Sequence, residues 1–182
     1  MDFGSSPESL LVGIEESAIE SLDDQIYQYD KEDWYNKRLL NMKKNISEKG
    51  IGYDFILSYI RLDTINYTNE LFIFELKSSG EVSNTFYYLF FVDEETCRLF
   101  NLQSDYNSKW KVSNVKNCSI DEISSFFNNT YPIVDRTGKS ESLIDEMILV
   151  RITKDKIITK PFVLIFREQL DSLNAISTRF VK

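Results

Sequence analysis

Apolar residues return at helical spacing through the first part of the chain and at strand spacing after it, and this change of period sets the expected elements. Over residues 7–28, Leu11, Ile14, Ala18, Leu22 and Ile26 recur every three or four positions, with Glu15, Glu16, Glu20, Asp23 and Asp24 between them. The pattern predicts an amphipathic helix with an acidic outer face. Ser5 and Ser6 are available as caps, Pro7 suits a first turn, and Glu8 follows Ser5 at capping-box spacing. A second helix is expected over 31–48, capped by Asp30, with Tyr35, Leu39, Met42 and Ile46 as its apolar stripe and Gly50 and Gly52 at its end.

Beyond this point the sequence predicts strands over 53–62, 71–77, 85–92 and 97–102, with a further one over 110–115. The run Phe86 to Val92 is apolar on both faces, so it belongs at the centre of a sheet or under cover on both sides. Ser119-Ile120-Asp121-Glu122 has capping-box form and leads into Ile123, Phe126 and Phe127, which predicts a short helix over 120–128. Residues 128–142 read as a loop. A hairpin over 147–153 and 157–166 turns at Lys154-Asp155-Lys156, and Pro161 marks a bulge or an edge position. Residues 167–176 carry a final helical pattern. The expected fold is therefore α+β, a single domain over 1–182. A mainly antiparallel, aromatic-rich sheet packs on an N-terminal helix pair, with a short middle helix and a C-terminal helix.

Composition narrows the chemistry. With 13 Phe and 10 Tyr against 6 Gly and 3 Pro, the chain has material for a packed core. It contains no histidine, which removes Ser-His-Asp and Cys-His catalysis and, with two cysteines, leaves too few soft ligands for zinc. Neither a cofactor nor a metal is expected. Cys97 and Cys118 are expected as free, small core residues. The opening Met1–Ser6 lacks the basic and apolar regions of a secretory signal, and no apolar run is long enough to span a bilayer, so a cytoplasmic setting without membrane contact is expected.

Charge is unevenly spread. Residues 1–33 hold 10 of the 29 acidic residues and one of the 21 basic ones, so the net charge of −8 belongs to the first helix and its flanks. Glu15, Glu16, Glu20, Asp23 and Asp24 are thus candidate contacts for a basic partner, against the simpler account of a solvated face partly neutralised by Lys37, Arg38, Lys43 and Lys44. Trp110, between Lys109 and Lys111, is a candidate anchor beside them, although core packing is the simpler account of a tryptophan.

One short motif points elsewhere. Glu75-Leu76-Lys77 closes an apolar strand, strand alternation puts both charges on one face, and Asp63 stands twelve residues earlier. This resembles the core of the PD-(D/E)xK nucleases. The resemblance implies that Asp63 and Glu75 hold magnesium while Lys77 orients or activates the attacking water. A Glu-Lys pair on the wet face of a half-buried strand explains the same residues. Gly138-Lys139-Ser140 lacks the first glycine of a phosphate-binding loop, and Asp93-Glu94-Glu95 lacks the alternation of a calcium loop. The acidic chain shows no basic track for direct nucleic-acid binding.

The expectation is a non-enzymatic protein-binding module of immunity or inhibitor type, engaging a basic partner such as a toxin or nuclease. A magnesium-dependent nuclease and a structural subunit of a larger assembly are the alternatives.

Overall fold

The computed structural model describes residues 7–27, 34–53, 70–78, 84–92, 96–104, 110–112, 116–130 and 144–165. Helices α1 (Pro7–Tyr27) and α2 (Trp34–Lys49) come first. Strands β1 (Glu70–Ser78), β2 (Asn84–Val92) and β3 (Cys97–Ser104) follow, then the short β4 (Trp110–Val112) and β5 (Lys116–Asn117). Helix α3 (Ile120–Asn129) leads to the hairpin of β6 (Ile144–Thr153) and β7 (Ile157–Ile165). All the strands lie in one sheet with the order β4-β3-β2-β1-β6-β7, every pairing is antiparallel, and β5 pairs with the remaining length of β3. The fold is α+β. The expected strand over 53–62, the residues 93–95 and 138–140, and the C-terminal helix over 167–176 lie outside the described residues.

Alternation along the strands sends two sets of side chains to opposite faces, and both faces are covered. Leu71, Ile73, Tyr87, Leu89, Phe91, Ile148, Val150 and Ile152 pack under α1 and α2, which supply Leu10, Ile14, Ala18 and Leu22 and then Tyr35, Leu39, Met42 and Ile46. Phe72, Phe74, Leu76, Tyr88, Phe90, Val92, Met147, Leu149 and Phe162 pack under α3, which supplies Ile123, Phe126 and Phe127. The two-sided apolar run of β2 is accounted for in this way: β2 lies between β1 and β3, with a helical layer on each side. On the α3 face the rings meet edge-on or tilted, Phe72 with Phe127 at 5.7 Å and Phe74 with Phe90 at 5.0 Å. Full burial of such side chains contributes about 1.5–3 kcal/mol each.

The middle helix is tied at both ends. Its cap Ser119 accepts the Glu122 amide, as the capping pattern requires, and Thr130 closes the last turn through its amide and hydroxyl to the Phe126 carbonyl. Lys160 of β7 donates to the Phe127 carbonyl at 2.7 Å and stands over the Phe127 ring, a cation at the negative end of the helix.

At the sheet edge, α1 does more than cover a face. Ser17 Oγ accepts the Thr159 amide and donates to the Ile157 carbonyl, while buried Gln25 donates to the Pro161 carbonyl at 2.9 Å. Pro161 itself has no amide to offer. The β6–β7 register runs without interruption past it, so Pro161 marks an edge strand and not a bulge.

Two expectations are corrected. Cys97 and Cys118 are joined in a disulfide: β5 pairs antiparallel with the start of β3, Arg98 opposite Asn117, and this leaves the two cysteines side by side with Cα atoms 5.0 Å apart. Glu75 does not lie on a wet face; it is 1% exposed. The strand face that carries it is roofed by α2 and the segment after it, so the half-buried sheet assumed for this pair does not exist here.

Candidate functional site

Glu75 and Lys77 share the α2 face of β1, two residues apart. Antiparallel register places Tyr87 of β2 and Ile148 of β6 opposite Glu75, and Glu146 of β6 opposite Lys77. The polar group is thus assembled from three strands. A fourth contribution comes from the chain leaving α2, where Gly50 and Gly52 adopt positive φ (73° and 76°) and turn the backbone so that Tyr53 runs back over the sheet. Tyr53 is fully buried and meets Tyr87 edge-on at 5.9 Å.

The turn depends on α1. Glu15 reaches across to accept the Ile51 amide at 3.0 Å, and a Cβ placed on Gly50 would come within 2.7 Å of the same carboxylate oxygen. Gly50 therefore answers both a left-handed backbone and a close approach.

Within the group, Lys77 Nζ lies 2.9 Å from Glu75 Oε1, and the Tyr87 hydroxyl donates to that oxygen at 3.3 Å. The Tyr53 hydroxyl is turned toward the same carboxylate as a further donor, at longer range than an ordinary hydrogen bond. Burial pushes the Glu75 carboxyl above the usual carboxylate range, against the opposing pull of Lys77 and the tyrosines. Burial pulls Lys77 down, but the Glu75 carboxylate, with Glu146 behind it, outweighs burial and holds the ammonium above its ordinary value. Both tyrosine hydroxyls are pushed up, by burial first and by Glu75 second.

A cavity of about 390 Å³ opens beside this group, between the end of α2 and the strands, lined by Glu75, Lys77, Tyr87 and Glu146 and by Asn45 and Lys49 of α2. Its size falls within the range of pockets that hold a small molecule or a single side chain. Of the residues that resemble the nuclease core, Glu75 and Lys77 are brought together here and Asp63 lies outside the described residues. No group of three or more possible metal ligands occurs among the described residues.

The acidic candidates on α1 divide into two sets. Glu15 holds the turn after α2, and Asp23 pairs with Lys43 of α2, so both face inward toward the second helix. Glu16, Glu20 and Asp24 are exposed and stand four residues apart, in line with exposed Glu8 and with Val12, which is 51% exposed. The side chains of Trp34 and Trp110 lie outside the described residues.

Sequence reasoning identified Glu75, Lys77 and the acidic helix but not Tyr53, Tyr87 or Glu146 as their neighbours. Tyr87 is found only once the register of the first hairpin is fixed, and Glu146 only once β6 is known to pair with β1. The chain matches no family model, no curated protein and no solved structure. No helix among the described residues is long and apolar enough to cross a membrane.

Proposed function

We propose that this chain is a non-enzymatic binding protein of immunity or inhibitor type, which engages a basic protein partner through the exposed face of α1. The observation that supports it is the line Glu8, Glu16, Glu20 and Asp24, which faces solvent, makes no ion pair among the described residues, and leaves Val12 exposed between Glu8 and Glu16. Like charges stacked one turn apart repel and cost stability, whereas a partner bringing lysine or arginine relieves that repulsion and is steered to the surface. Affinity capture from the native lysate at low and high salt, with a Glu16→Lys, Glu20→Lys, Asp24→Lys variant alongside, tests the reading. Capture of a basic protein should weaken with salt and largely disappear in the variant, whose circular dichroism stays that of the wild type. Equal capture by the variant at every salt concentration would sink the proposal.

A second reading, a magnesium-dependent nuclease resembling the PD-(D/E)xK enzymes, draws support from Glu75 and Lys77 sharing a cavity. It ranks second because one Glu75 oxygen is already held by Lys77 in a buried setting, while magnesium keeps several waters in a near-octahedral shell. Magnesium-dependent cleavage by the wild type that vanishes in both Glu75→Ala and Lys77→Ala would reverse the order.

A further inference from the structure

Segment 50–53, which follows α2, lies over the sheet with few ties. The Gly50 amide bonds to the Ile46 carbonyl and the Ile51 amide to the Glu15 carboxylate, and among the described residues no other hydrogen bond holds its backbone. Two buried side chains, Ile51 and Tyr53, press it onto the core and alternate with Gly50 and Gly52, both at positive φ. Gly52 is exposed, and a Cβ built on it would meet nothing within 4 Å, so the chain can turn there without displacing a neighbour. The closed arrangement is also imperfect. The Tyr53 hydroxyl faces the Glu75 carboxylate at longer range than an ordinary hydrogen bond, and both this hydroxyl and Glu75 Oε2 are buried without one. Such groups destabilise the state that buries them, and water relieves them. The cavity of about 390 Å³ borders the segment, lined by Gly50, Ile51 and Gly52 as well as by Glu75 and Lys77, so a small outward movement brings solvent to the ion pair.

We propose that segment 50–53 is a strap that lifts from the sheet as a local unit, hinged at its two glycines and tied down by Glu15, and that lifting admits water to the Glu75–Lys77 pair. The device goes beyond the proposed binding function and does not depend on it. Its charged and titratable surroundings are Lys77 on the same strand as Glu75, Tyr87 from β2, Glu146 from β6, Lys49 from α2, Tyr53 from the strap itself, and Glu15 of α1 at its outer side. Lifting hydrates Glu75 and removes the burial that holds its carboxyl above the usual range, so the lifted form ionises more readily. Linkage then sets the sign: the strap is closed at low pH, and lifting grows as pH rises from the ordinary carboxylate range through the raised closed-state value. Lys77 and the two tyrosines also hold their protons more tightly in the closed cluster, so at higher pH they act in the same direction.

The test is amide hydrogen exchange of the full chain by NMR over a pH series, each rate divided by the intrinsic rate at that pH. The Ile51 amide should exchange through an opening that leaves Thr159 and Ile73 protected, with a smaller urea dependence than global unfolding. Its protection should fall with rising pH, by up to about tenfold per unit for a single linked proton, and Glu75→Gln should flatten that fall. Glu15→Ala should lower Ile51 protection by about tenfold or more, as loss of a bond to a charged acceptor requires, and leave Thr159 unchanged. Should Glu75→Gln fail to fold, the wild-type pH series and Glu15→Ala decide the matter alone. Ile51 exchanging only with global unfolding, or protection that stays constant across the pH series, overturns the strap. Both outcomes leave the acidic line and its partner untouched.

Discussion

Glu75 is held in a compromise between burial, which favours its protonated form, and Lys77, which favours its charge. Because burial wins in sign, the folded state takes up a proton at a pH where the unfolded chain has already lost it. Stability associated with this residue is therefore greatest at low pH and falls as pH rises from the ordinary carboxylate range through the raised folded value. Lys77 runs in the same direction at higher pH: its folded value is also raised, so its contribution is complete below the ordinary lysine range and is lost as pH rises through the folded value. Urea denaturation across pH should show a decline in the mildly acidic range that Glu75→Gln flattens, and the alkaline decline should weaken in that variant too, because the Glu75 carboxylate is what holds Lys77 up. An acid-side profile identical in wild type and Glu75→Gln would show that Glu75 titrates normally. Strand alternation alone put Glu75 and Lys77 on one face. Their burial could not be read in the same way, because the cover over them comes from Gly50 to Tyr53, a segment whose path depends on two positive φ angles and on Glu15 of another helix.

Among the elements, those with strong periodicity and clear punctuation were legible. Both N-terminal helices, the capped α3 and the β6–β7 hairpin fall within a few residues of their expected bounds, since each has its own apolar period and its own end signals. The region after β3 was less so. Of the strand expected over 110–115, β4 covers 110–112 and residues 113–115 lie outside the described residues, while β5 beyond it was not expected; β4 and β5 pair with different parts of β3. That division carries Cys118 back to Cys97, a juxtaposition with no local signal. The disulfide closes a separation of 21 residues, and a loop of that size constrains the unfolded chain by about 3 kcal/mol. Thiol titration of the denatured protein without reductant should find no free thiol, and reduction should lower the denaturation midpoint without changing the order of the sheet. Two free thiols would remove the bond. The free cysteines were expected because a cytoplasmic setting was, and the bonded pair counts against that setting, since such bonds persist mainly in oxidising compartments.

At the scale of the molecule, the same helix carries two duties on opposite sides. One side of α1 presents the acidic line to solvent; the other reaches the backbone of β7 through Ser17 and Gln25. A sheet has two edges, and unpaired amides and carbonyls on either are a template for another chain. At one edge, among the described residues, the strands are only three and two residues long. At the other, where no strand among the described residues pairs with the outer side of β7, α1 occupies hydrogen-bonding positions that a neighbouring strand would use. Its removal would convert a capped edge into a growth surface. In hydrogen exchange the Thr159 amide should be protected in the wild type, and Ser17→Ala should speed its exchange. Ser17→Ala combined with Gln25→Ala should also make self-association rise with concentration in sedimentation, through the newly open β7. Were the double variant monomeric at high concentration with Thr159 still protected, the guard would lie elsewhere. On the proposed function, a partner drawing on the acidic line would pull on the same helix that covers the β7 edge, which would link binding at α1 to self-association through that edge.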